Sequence, residues 1–156
     1  MREKGVGECM NIEIIENCHL AYIRKKGKYR IENKETMDEL KEWAKMRNIY
    51  NKDTVIYGIA QDNPETTLPE NCRYDACIVI PNDFVIDFGK NECEFIGGKY
   101  AVFKIIHTSE EIQKAYKEIF PIILKEGLKI ANKPIIERYS IRMVENNFCE
   151  ICVPVE

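Results

Sequence analysis

Glu137 has the strongest claim to chemistry in this sequence, because it is a carboxylate set among isoleucines in the run Pro134-Ile135-Ile136-Glu137-Arg138-Tyr139-Ser140-Ile141. Read as an alternating strand, the run puts Ile135, Glu137, Tyr139 and Ile141 on one face and Ile136, Arg138 and Ser140 on the other. Two readings stay open at this point. Either that face lines a cavity holding a carboxylate, or it is a solvated sheet surface and Glu137 is an ordinary exposed glutamate. In a cavity, desolvation disfavours the charged form unless a cation or hydrogen-bond donors compensate, so the site would select a flat organic cation. Tyr57, Tyr22, Phe103 and Tyr139 could stack on such a ligand or attract it through cation–π contacts of about 0.5 to 2 kcal/mol each.

The other reactive side chains form no comparable constellation. Cys149-x-x-Cys152 invites a zinc or redox reading, yet residues three apart on a strand point to opposite faces, and no second pair accompanies it, so neither metal nor cofactor is expected. His19 and His107 close two strands, but Ser, Cys and His show no spacing that assembles a triad, and both read as local turn or core residues. Asp62 and Asp75 read as loop and strand-edge hydrogen-bonders. Trp43 lies on a helical apolar stripe and reads as core.

Positioning Glu137 requires a particular order of elements. After a loose extension over residues 1–9, with Met10 a plausible alternative start, extended structure runs through Ile12, Ile14 and Leu20 to Ile23. It stops at the charged turn Lys25 to Lys28. Thr36 with Glu39 forms a capping box, predicting a helix from Met37 to Asn48. Strands follow at Thr54–Ala60 and Arg73–Ile80. Beyond a connector from Pro81 to Gly98, with an extended piece at Phe84–Asp87, the order repeats. There is a strand at Tyr100–Ile106, then a helix opened by the capping box Thr108/Glu111 and ended by Gly127, with a kink or break expected at Pro121. The Glu137 strand, a turn at Glu145–Asn147 and a strand at Phe148–Pro154 complete the second unit. The chain is thus strand-helix-strand-strand written twice, with Tyr22 answering Val102, Ile80-Pro81 answering Val153-Pro154, and Tyr57 answering Glu137. Such units join about a pseudo-two-fold axis into one curved antiparallel sheet, helices on one face and a central groove where they meet. The expected fold class is α+β, one domain over residues 10–156 with repeat units of about 10–81 and 95–156.

Composition narrows the function classes. A chain of 156 residues that is 45% hydrophobic can bury a core. It contains neither an apolar run long enough to span a membrane nor a secretory leader pattern, so a cytoplasmic protein is expected. Seven scattered cysteines, mostly inside apolar runs, suit reduced thiols. A net charge of −3 disfavours a nucleic-acid surface, and Arg24 to Arg30 reads as a solvated basic loop.

Several stretches then fall into a known order: Ala21-Tyr22-Ile23-Arg24 with Gly27 and Tyr29, the Trp43 helix, Gly58-Ile59 with Asp62-Asn63-Pro64, Arg73-Tyr74-Asp75-Ala76-Cys77, Ile96-Gly97-Gly98-Lys99-Tyr100-Ala101-Val102, and Pro134-x-x-Glu137-x-Tyr139. Across nearly the whole chain this resembles the GyrI-like small-molecule-binding family, also found as the effector-binding domain of AraC- and MerR-type multidrug regulators. The resemblance implies two β-α-β-β modules around a groove in which a glutamate at the position of Glu137 meets cationic, aromatic drugs and dyes. Lys28 departs from the proline often found in that turn. A stand-alone binder of hydrophobic, by preference cationic, small molecules is the expected function, in drug or toxin sensing or sequestration. One alternative is a hydrolase of a strained electrophilic toxin, with Glu137 as nucleophile or base helped by Tyr57. A second is a gyrase-inhibitor-like protein partner.

Overall fold

The computed structural model describes residues 10–29, 31–63, 65–87 and 91–156, so the expected extension over residues 1–9 lies outside the described residues. Its elements are β1 (Met10–Ile15), β2 (Cys18–Lys26), α1 (Ile31–Met46), β3 (Ile56–Ala60), a single 3₁₀ turn (Pro69–Asn71), β4 (Arg73–Ile80), β5 (Asn91–Phe95), β6 (Gly98–Ile106), α2 (Ser109–Lys125), β7 (Ile136–Tyr139), α3 (Ile141–Glu145) and β8 (Phe148–Pro154). The eight strands form one antiparallel sheet in the order β1-β6-β8-β7-β3-β4-β2-β5. Exchanging β1 with β5, β2 with β6, β3 with β7 and β4 with β8 reverses that order and leaves it unchanged, which is the expected pseudo-two-fold. The leading strand of each unit pairs in the other unit, β1 with β6 and β5 with β2. The β3–β7 ladder alone joins the two centres, with Gly58 opposite Glu137 and Tyr57 opposite Arg138.

Strand alternation explains the core on both faces. Ala21, Ala76, Ile78 and Ile80 meet Met37, Leu40, Trp43 and Ala44 of α1. In the second unit Ala101, Phe103, Ile105, Cys149, Ile151 and Val153 meet Ala115, Ile119 and Ile123 of α2. The intervening positions, among them Leu20, Tyr57, Ile59, Tyr100, Val102, Ile136 and Cys152, build a third cluster on the face away from these helices. Cys149 and Cys152 therefore point to opposite sides of β8, and the six described cysteines are free thiols. No helix among the described residues is long and apolar enough to cross a membrane.

Several boundaries differ from expectation. The first extended region is two strands, and α1 starts at Ile31, so Thr36 lies within the helix, buried, instead of capping it. Glu and Lys are good helix formers and carry the helix upstream of its apolar stripe. Phe84 and Ile86 pack on the first core instead of forming a strand, and the connector's strand is β5. The end of the Glu137 run is helical: the Ser140 hydroxyl accepts from the Met143 amide at 3.1 Å, which caps α3 and stops β7 at Tyr139. Thr108 caps α2 in the same way, accepting from the Glu111 amide at 3.2 Å. Helix α2 runs unbroken through Pro121, which sits on its exposed side above exposed Lys117, so water can reach the carbonyl that the proline leaves unpaired. Gly127 ends it with φ 76°; the Gly127 amide donates to Leu124 and the Leu128 amide to Ile123, a Schellman arrangement.

Candidate functional site

A groove of about 370 Å³ lies over the centre of the sheet between α1 and the start of α2. Strand parity places Glu137 and Tyr139 of β7 on this side, with Ile136 and Arg138 beneath. Two tyrosines hold the carboxylate: Tyr116 of α2 donates to Oε1 at 2.8 Å and Tyr139 donates to Oε2 at 2.5 Å. Burial, the Glu137 charge and the donated hydrogen bond all push both phenols well above their ordinary range, so they remain protonated donors. No cationic side chain pairs with Glu137 among the described residues.

Two further aromatic groups reach the groove, which Lys34, Asp38 and Lys41 of α1 also line. His107, just past β6, sets its ring edge-on to Tyr139 at 5.4 Å between centroids. Burial, then the Lys41 cation, lowers its pKa below 6.5, while Glu137 acts in the opposite direction, so the imidazole is neutral at neutral pH. Tyr74 reaches the same groove from β4, two strands away from Glu137. Its route explains Gly58, because a Cβ there would stand 2.5 Å from the Tyr74 hydroxyl and 3.3 Å from the ring carbon that bears it. Gly58→Ala is therefore expected to cost about 1 to 2 kcal/mol by overpacking. Urea unfolding would measure it, and adding Tyr74→Phe should recover most of the loss by removing the clashing oxygen.

The residues proposed from sequence separate. Glu137 and Tyr139 meet in the groove. Tyr57 does not, because it pairs with Arg138 and so faces the other side, buried beside Phe95 with centroids 5.4 Å apart. Tyr22 lines a cavity on that same far side. Phe103 is fully buried in the core beneath α2. Tyr57 therefore cannot assist Glu137 chemically. Tyr74, Tyr116 and His107 take the places the other aromatics were expected to fill. The one sequence signal for Tyr116 was its place beside Ala115 at the edge of the helix's apolar stripe.

A GyrI-like small molecule binding domain model matches residues 10–156. The chain belongs to this family. It is 38% identical over 148 residues, 94% of this chain and 99% of the relative, to YosT of Bacillus subtilis (strain 168), named as a candidate transcriptional regulator derived from the SPbeta prophage. Similarity to DNA gyrase inhibitor 2 of Dickeya dadantii (strain 3937) is 31% over 81 residues, 50% of this chain and 52% of that protein. Among solved structures the fold matches the EcmrR C-terminal domain with a TM-score of 0.71 at 11% identity, covering 94% of this chain and 96% of that one. Against EcmrR in its DNA complex the TM-score is 0.73 at 13% identity, and the chain spans 57% of EcmrR's length. The GyrI-like chain thus has the architecture of effector-binding domains, with its groove at the junction of the two units.

Proposed function

We propose that this GyrI-like domain binds hydrophobic organic cations in the groove over Glu137, in a sensing or sequestering role. The observation that carries the reading is a carboxylate satisfied by two tyrosine hydroxyls and in no ion pair among the described residues, in a groove with three tyrosines and a neutral histidine. Of the lysines that also line the groove, Lys34 is bridged to Asp38 and Lys41 makes no ion pair with Glu137. The hydroxyl donors occupy both carboxylate oxygens without bringing an opposite charge, and a ligand cation supplies one. The aromatic rings add cation–π attraction. A structural neighbour, SAV2435, with a TM-score of 0.58 at 14% identity, is described as bound to tetraphenylphosphonium, which makes that cation a natural probe.

Titration with tetraphenylphosphonium and with neutral triphenylphosphine oxide should show the cation bound at least roughly tenfold more tightly, about 1.4 kcal/mol. Equal affinities would overturn the cation reading. Mass spectrometry should recover the ligand intact; progressive loss with turnover would favour hydrolysis, with Tyr116 or Tyr139 in the place once given to Tyr57.

A further inference from the structure

A second cavity, of about 390 Å³, lies on the sheet face away from α1 and α2. The Ile59–Ile136 rung contributes to its lining, immediately next to the Gly58–Glu137 rung but on the opposite side, so the two cavities are separated by the sheet itself. Phe95 and Tyr100, stacked with centroids 6.5 Å apart, form an aromatic wall. An apolar, ring-lined cavity of this size fits a small aromatic body.

Its polar groups indicate which charge that body would carry. Arg24 donates to Asp75 through Nε at 2.7 Å and Nη2 at 2.8 Å, and Gln61 donates to the same carboxylate at 3.0 Å. Asp75 is 4% exposed, so its charge is neutralised and its oxygens are occupied inside the protein. The clamp also fixes the guanidinium while Nη1 makes no hydrogen bond among the described residues. Lys133 makes one bond, to the Gly97 carbonyl at 3.1 Å, leaving two ammonium hydrogens. The remaining carboxylate, Glu94, is exposed on edge strand β5, where water screens it. The capacity left unused in the cavity is therefore that of cationic donors.

We propose that this cavity is a second small-molecule site, for an aromatic anion such as a carboxylate or sulfonate. Its anionic head would meet Arg24 and Lys133 and its rings would lie against Phe95 and Tyr100. Charge preference is the reverse of that in the Glu137 groove, and the proposal stands independently of the reading of that groove.

Anilinonaphthalene sulfonate serves as the probe, followed by fluorescence on the full chain. The expected result is saturable binding that Lys133→Gln and Arg24→Gln each weaken by roughly tenfold. Saturating tetraphenylphosphonium should leave it unchanged. Arg24→Gln unpairs buried Asp75 and could impair folding, so Lys133→Gln, at an exposed position, carries the test. A second measurement uses exposed Cys93, which lines the cavity: bound dye should slow its alkylation by iodoacetamide. Unchanged dye affinity in Lys133→Gln, displacement of the dye by tetraphenylphosphonium, or unprotected Cys93 would each overturn the proposal.

Discussion

Replacing Glu137 by glutamine is expected to weaken tetraphenylphosphonium binding by roughly thirtyfold or more, about 2 to 3 kcal/mol, while barely changing affinity for triphenylphosphine oxide. The size follows from position. A cation entering the groove loses hydration, and Glu137 is the carboxylate among the tyrosines that can replace it with opposite charge, whereas exposed Asp38, which also lines the groove, is already bridged to Lys34 at 3.1 Å. The amide has nearly the same shape, so the aromatic walls keep their contacts and the loss isolates charge. Folding should survive the change, because the amide oxygen accepts from one tyrosine and the amide NH₂ can donate to the other hydroxyl, which is both donor and acceptor. Isothermal titration of the two ligands against both proteins gives the four affinities needed. An unchanged cation affinity would place the ligand elsewhere, whereas an equal fall for both ligands would mean that the substitution had reshaped the groove.

The strand that carries this prediction was legible because one face of β7 had to differ from the other. Alternation separated Glu137 and Tyr139 from Ile136 and Arg138, and a period of two admits no compromise. The same parity defeated the pairing of Tyr57 with Glu137. An offset of one residue in matching the two units moves a side chain through the sheet, and Gly58, with no side chain to attract notice, holds the place opposite Glu137. Phe103 failed for a different reason. Ala101-Val102-Phe103 is apolar on both faces because both are covered, so nothing local distinguishes a residue under α2 from one at the groove.

Local signals succeeded where the physics is local, as at the Thr108 cap and the Gly127 helix end. They failed where the partner is distant. β1 pairs with β6, Ile12 opposite Ala101, and no short-range pattern separates it from β2. The tyrosines around Glu137 come from β4, α2 and β7, and it is the closing of the sheet between the two units that gathers them.

Beneath the groove, Arg138→Met is expected to cost about 3 kcal/mol or more of stability, most of it through the carboxylates left behind. Arg138 has a side chain only 12% exposed, and it binds Glu150 at 2.9 Å and Glu13 at 2.6 Å. It thereby ties β7 to its neighbour β8 and to the edge strand β1. Methionine fills much of the volume but leaves Glu150, 18% exposed, without its cation. Adding Glu150→Gln should therefore recover part of the loss, which urea unfolding of the single and double variants would reveal as a positive coupling. The pH dependence gives a second check. Hydrogen bonding to Arg138 holds Glu13 below the ordinary glutamate value of 4.5, opposed by its own burial. A depressed folded-state pKa contributes stability that is present above the unfolded value and is lost as pH falls through the folded one. The parent protein should accordingly lose stability on acidification below about pH 4.5, and Arg138→Met should lose less over the same interval, because Glu13 there has no cation to lose. Parallel acid limbs in the two proteins would show that Glu13 contributes nothing to holding β1 on the sheet.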